Sequence, residues 1–152
     1  MKRLVLLDRS VHITFHALLV GSLYLLFAGH NQPGGGFVGG LVAGASVALR
    51  YVAGGIDEVR SVSRFKPWTI LGAGLLLAAT TATVPLLAGR DVLESAVTTF
   101  DLPLVGAVKV TSSLAFDSGV YLLVVGLVLM VFESFGDDPQ LDPAIHGPEA
   151  RR

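Results

Sequence analysis

Four runs of apolar residues organise the chain: Val11 to Ala28, Phe37 to Ala53, Trp68 to Ala88 and Leu114 to Phe132. A hydrocarbon core about 30 Å thick takes roughly 20 apolar residues at about 1.5 Å of helical rise each. The pattern therefore predicts an all-α membrane protein with four transmembrane helices. The connecting segments differ in character. Gly29 to Gly36 is a short Gly/Pro turn, so a Gly-rich loop opens the second helix, and Gly54 to Pro67 is a charged loop. Gly89 to Ser113 is too long for a turn; with its Leu102-Pro103-Leu104-Val105 patch it is expected to fold back on the protein or the membrane interface. The first run leads into Gly29-His30-Asn31-Gln32-Pro33 with no small-residue cleavage pattern, so it reads as a mature helix rather than a signal peptide. Residues 1–135 form the expected transmembrane domain. Residues 136–152 form an acidic, proline-broken tail, extended or docked on a neighbour.

Charge gives the orientation. An even number of spans places Lys2, Arg3, Arg9, Arg50, Arg60, Arg64, Lys66, Arg151 and Arg152 on one side, against Arg90 and Lys109 on the other. The excess of Lys and Arg on cytoplasmic segments predicts that both termini are cytoplasmic. Tyr24, Phe27, Tyr51, Trp68, Phe132 and Phe135 fall where interfacial anchors belong.

Composition agrees with the spans and narrows the chemistry. Of the 152 residues, 52% are hydrophobic and only 15% charged, against roughly a quarter in an average protein. The net charge of −1 provides no field that would gather nucleic acid. The absence of cysteine excludes disulfides, thiolate nucleophiles and cysteine-ligated metal clusters. No serine nucleophile elbow or paired intramembrane carboxylate is present, and the histidines fall on both sides of the membrane, so catalysis is not expected. No cofactor is implied.

The densest motif is Gly29-His30-Asn31-Gln32-Pro33-Gly34-Gly35-Gly36-Phe37-Val38-Gly39-Gly40-Leu41. Gly34, Gly36 and Gly39 match the dinucleotide-binding G-x-G-x-x-G, with Asp57 or Glu58 near the offset of a ribose-binding acid. That fingerprint needs a short strand before it and a soluble βαβ unit around it, and here it lies between two membrane-length runs. The P-loop reading fails as well, because no Lys-Ser/Thr pair follows. Two uses of the glycines remain. Gly36, Gly40 and Gly44 recur every fourth residue, a helix-packing face, which is the commoner role of glycine in spans. Alternatively, Pro33 and the glycines leave an irregular backbone whose N–H dipoles face an ion or a polar cavity.

Ionisable residues in spans are costly and must face protein or water. Asp117 lies near the start of the fourth run, with Tyr121 one turn later on the same face. It reads either as a carrier for a cation or proton or as a cap for free N–H groups at its helix start. His12 and His16 share a face of the first span at metal-pair spacing but lack a third ligand. They read as a packing pair, with proton conduction the lesser alternative. Arg50 and Glu133 sit near span ends, where a long side chain reaches water. Thr80, Thr81 and Thr83 precede Pro85, where hydroxyls can satisfy backbone groups freed by proline.

The Gly29 to Leu41 segment resembles the signature loop of the MnhB/MrpB family, the small B subunit of multisubunit Mrp cation/proton antiporters. Phe100-Asp101-Leu102-Pro103-Leu104-Val105-Gly106 and Phe116-Asp117-Ser118-Gly119-Val120-Tyr121-Leu122-Leu123-Val124-Val125-Gly126 resemble that family's third loop and fourth helix. The resemblance implies a subunit of a membrane complex, related to the membrane arm of respiratory complex I, that exchanges cytoplasmic Na⁺ for external H⁺. It implies A, C, D, E, F and G type partner subunits in a bacterial cell membrane. By carry-over, Pro33, Gly34, Gly35, Gly36, Phe37 and Asp117 occupy motif positions, and His30 and Tyr121 join them as candidates for an ion path. His12 and His16 have no counterpart in the family pattern. A purely structural subunit with no ion contact is the alternative role.

Overall fold

The computed structural model describes residues 2–29, 33–63, 65–87, 97–102 and 106–136, with the side chains of 2–8, 87 and 97–111 outside the description. Its elements are α1 (Lys2–Ala28), α2 (Gly36–Val62), α3 (Pro67–Leu87), β1 (Val97–Leu102), β2 (Gly106–Thr111) and α4 (Ser112–Gly136). All four helices are long and apolar enough to cross a membrane. The chain is a multi-pass membrane protein, with four α-helices at the positions the apolar pattern predicts.

The helices outrun the apolar runs. Hydropathy marks the part of a helix that suits lipid, whereas hydrogen bonding continues into polar sequence. Thus α1 begins well before Val11, and α2 continues through the segment expected to be a charged loop. What remains of that loop is Ser63 to Lys66, closed by Pro67 as the first residue of α3, where a missing N–H costs nothing. The extension of α2 depends on Gly55, whose φ of 75° and ψ of −163° kink the helix. A left-handed φ disfavours any side chain, so glycine makes the bend available. Beyond the kink, Val59 returns to the bundle and is buried with Val47 and Leu129.

The long third connection contains an antiparallel hairpin, β1 with β2, running from Val97 opposite Thr111 to Leu102 opposite Gly106. Its β-branched residues on both arms (Val97, Thr98, Thr99; Val108, Val110, Thr111) suit a pleated surface. The Leu102-to-Val105 patch lies largely outside the described residues, as does the 137–152 tail.

Small residues line the contacts between helices. Helix α4 lies between α2 and α3, while α1 packs mainly on α2. On the α2 side, Gly36 lies against the backbone of Asp117. A Cβ on Gly40 would stand 2.8 Å from Val124 Cβ, and one on Gly44 2.9 Å from Val128 Cγ2. On the α3 side, a Cβ on Gly74 would meet the Leu123 nitrogen at 2.5 Å, one on Gly119 the Ala78 nitrogen at 2.6 Å, and one on Gly126 the Leu71 nitrogen at 2.5 Å. Helix α4 thus meets α3 backbone to backbone and meets α2 through backbone at Gly36 and through valine side chains at Gly40 and Gly44, the close approach that small residues permit in membranes. Many large apolar side chains point outward: Ile13, Val20, Tyr24 and Phe27 on α1, and Leu76 and Val84 on α3, are exposed, while Phe15, Leu26 and Leu129 turn inward. Trp68 and Phe135 are exposed at the ends as anchors would be, but Tyr51 and Phe132 pack on each other with ring centroids 4.8 Å apart.

Candidate functional site

Among the described residues, the chain reversal between α1 and α2 is closed by backbone hydrogen bonds. The Leu25 carbonyl accepts the N–H of Gly29 at 3.1 Å and that of Gly35 at 3.0 Å, and the Gly29 and Gly35 backbones touch. Gly35, with φ 95° and ψ −176°, occupies a region essentially reserved for glycine, and α2 starts at the next residue. The first turn of α2 leaves N–H groups without helical partners, which gives this end a partial positive charge.

Asp117 faces that end. It is not in the first turn of its own helix, so the reading of a cap on α4 gives way to a cross-helix arrangement. Both of its carboxylate oxygens lie 3.5 Å from the position a Cβ on Gly35 would take, and Gly36 lies on its backbone carbonyl. Gly35 and Gly36 are buried and Asp117 is half-buried. Glycine serves differently at the two positions: Gly35 supplies the backbone conformation that starts α2 beside the carboxylate, and Gly36 lets α2 close on the Asp117 backbone, where a side chain would hold the helices apart.

One turn further along α4, Tyr121 Oη lies 3.0 Å from Ser22 Oγ on α1, and its ring lies 3.4 Å from the Cβ position of Gly39. Ser22 is fully buried and also donates to the Leu19 carbonyl at 2.7 Å. Three helices thus meet at a polar line consisting of the Asp117 carboxylate, the Tyr121 hydroxyl and the Ser22 hydroxyl. Ser22 is the member that reading along the chain misses. Its signal is a lone serine in the run Leu18 to Leu26, facing the same way as buried Phe15 and Leu26.

The other sequence candidates fall elsewhere. Pro33 and Phe37 are exposed and do not join the carboxylate, Gly34 packs on the Leu25 carbonyl, and His30 lies outside the described residues. The threonines before Pro85 do not serve the carbonyl that proline frees. Thr80, Thr81 and Thr83 donate to the Leu76, Leu77 and Ala79 carbonyls one turn back, the local bonding expected of a hydroxyl in a helix.

A second polar group sits toward the far end of α2. Arg50 does not simply reach for water. Its Nη1 donates to Glu58 Oε2 at 2.5 Å, its Nη2 to His12 Nδ1 at 3.1 Å, and its guanidinium lies 4.7 Å from the centre of the Phe15 ring. Residues eight apart on a straight helix are separated by about 12 Å along the axis; the Gly55 kink brings Glu58 back to Arg50. His16 Nδ1 lies 2.7 Å from the His12 carbonyl. Both histidines are exposed; among the described residues His16 contacts only its own helix, and His12 alone reaches α2, through Arg50. No group of three or more His, Cys, Asp or Glu placed to hold a metal occurs among the described residues.

Residues 6–130 match the family described as a domain related to the MnhB subunit of Na⁺/H⁺ antiporters. The chain belongs to the MnhB family. The MnhB match contains Ser22, Gly35, Gly36, Asp117 and Tyr121 as well as the Arg50 cluster, and ends before Glu133 and the tail. Among curated MnhB relatives, the B subunit of the Na(+)/H(+) antiporter of Bacillus subtilis is 35% identical over 134 residues, covering 88% of this chain and 94% of its own length. The B subunit of the Na(+)/H(+) antiporter of Alkalihalophilus pseudofirmus is 34% identical, covering 88% and 93%. In the solved Mrp complex from Dietzia sp., one chain superposes with a TM-score of 0.71 at 29% identity over 93% of this chain. The present MnhB chain spans only 15% of that chain's length.

Proposed function

We propose that this chain is the B-type subunit of a multisubunit Na⁺/H⁺ antiporter of a bacterial cell membrane, with both termini cytoplasmic. Its partners are the other subunits of an Mrp-type complex, and its role is transport rather than catalysis. The names of its relatives support the assignment to the complex. Within it, Asp117 and the Gly35–Gly36 opening of α2 form part of the route of the transported cation or proton.

The observation that carries this is the Asp117 carboxylate, half-buried, at 3.5 Å from the Gly35 Cβ position. A carboxylate within a span costs on the order of 2.5–3.5 kcal/mol at mid-depth and less near an end. Here it faces protein dipoles that suit a negative charge, with Tyr121 and Ser22 continuing the polar line inward. Irregular backbone and half-exposed helix ends are the means by which transporters present dipoles to ions. A second reading rests on the glycine seams: a subunit whose contribution is the tight packing of α4 between α2 and α3.

Everted vesicles carrying the assembled complex decide between them. Asp117→Asn is expected to abolish or strongly reduce Na⁺/H⁺ exchange while the subunits still co-purify. Exchange and assembly both at wild-type level refute the ion route, and loss of exchange only in proportion to lost complex favours the packing role.

A further inference from the structure

We propose that the cavity enclosed by the end of α2, the start of α3 and the end of α4 binds the headgroup of a membrane phospholipid, with the phosphate at Arg60 and Lys66 and a hydrogen-donating headgroup, ethanolamine or glycerol, at Glu133. The cavity is about 140 Å³, roughly ten times the ~10–15 Å³ that a single water needs on the same measure. Its walls divide by chemistry. Val59, Leu129 and Phe65 are apolar, whereas Arg60, Lys66 and Glu133 supply two cations and one carboxylate.

The short connection between α2 and α3 fixes these groups at a helix boundary. Ser63 Oγ donates to the Phe65 carbonyl at 2.8 Å, and the Lys66 carbonyl accepts the Thr69 N–H at 2.9 Å, so Lys66 stands immediately before α3. Its Nζ lies 4.9 Å above the ring of Trp68. Arg60 is engaged within the protein as well, but a guanidinium carries five N–H donors and can hold a second acceptor. Phe65 and Trp68 are 72% and 53% exposed beside these cations. Large aromatics next to basic residues, at the end of a helix long enough to span, mark the headgroup level, where basic pockets between helices take lipid phosphates. The carboxylate sharpens the choice. Glu133 opposes a bare anion and accepts hydrogen bonds from an ammonium or a hydroxyl, which a phosphate ester of ethanolamine or glycerol provides and a choline head does not.

Native mass spectrometry of the delipidated full chain in detergent tests this, using phosphatidylglycerol, phosphatidylethanolamine and phosphatidylcholine, with glycerol phosphate as a soluble competitor. The expected result is one tightly retained lipid, with the glycerol and ethanolamine lipids favoured about tenfold over the choline lipid. Arg60→Gln with Lys66→Gln should lower that binding at least tenfold, and Lys66→Arg should preserve it. Where the double variant does not fold, Lys66→Gln alone carries the test, since this side chain is exposed. Equal binding of all three lipids, wild-type binding by the glutamine variants, or full displacement by glycerol phosphate overturns the proposal. None of these readouts depends on Na⁺/H⁺ exchange.

Discussion

Gly119→Ala measures how much the α3 to α4 seam depends on the absence of one methyl group. The added Cβ would stand 2.6 Å from the Ala78 nitrogen, 2.9 Å from the Gly74 oxygen and 3.0 Å from the Ala78 Cα. All three neighbours are backbone, so no rotamer change makes room. Reaching a contact of about 3.5 Å requires the helices to part by about 0.9 Å, and a gap of 0.5–1 Å forfeits a quarter to a half of each dispersion contact along the seam. Overpacking of this kind costs about 1–3 kcal/mol, with the upper half expected where backbone must move. The substitution also gains up to about 1 kcal/mol of helix propensity, which leaves a net loss of about 1–2 kcal/mol. Gly72→Ala is the matched control, because a Cβ there meets nothing within 4 Å. Thermal unfolding and size-exclusion yield of the purified complex should place Gly119→Ala clearly below wild type and Gly72→Ala at or above it. Equal stability of the two variants refutes the argument that the seam is held by backbone contact.

Two further outcomes follow from the far end of the bundle. Gly55→Ala has open space for its methyl, so its cost is conformational alone, about 1–3 kcal/mol for a φ/ψ region essentially reserved for glycine; Gly55→Asn should cost as much, since ψ lies far from the left-handed helical well that asparagine tolerates, and a thermal scan in which alanine is neutral would show that the kink is not required. Glu58→Gln removes the counter-charge of Arg50 at a pair whose side chains are 15% and 41% exposed. A double-mutant cycle with Arg50→Gln should give a coupling of about 1 kcal/mol that shrinks with added salt, and no coupling would mean that the ion pair does not clamp the kink.

The spans are legible because an uncharged apolar run near 20 residues long suits a bilayer and little else. Their ends are not, since hydropathy falls at Gly54 to Glu58 while α2 resumes beyond the Gly55 kink and runs to Val62. The Gly36, Gly40 and Gly44 spacing is visible within one helix. The α3 seam is not, because Gly74, Gly119 and Gly126 come together only once two helices are placed side by side. The same limit applies at the site. Asp117 and Tyr121 can be read as one face of α4, but the partner of the carboxylate is the start of α2 and that of the phenol is Ser22 on α1. The hairpin escapes a reading of the sequence because its short β-branched arms carry far less signal than a span.

The backbone seams on α4 also have a mechanical meaning. Packed side chains let neighbouring helices shift by exchanging rotamers, and glycine against backbone offers no rotamer to exchange. Helices α3 and α4, joined at Gly74, Gly119 and Gly126, therefore behave as one stiff plate. Helix α1 is tied to α2 in the same way, since a Cβ on Gly39 would stand 2.7 Å from the Ser22 carbonyl oxygen, whereas Gly40 and Gly44 of α2 close on the side chains of Val124 and Val128, which can adjust. The bundle thus divides into two stiff pairs, α1 with α2 and α3 with α4, whose shared face is pinned by backbone at Gly36 and cushioned by valines further along.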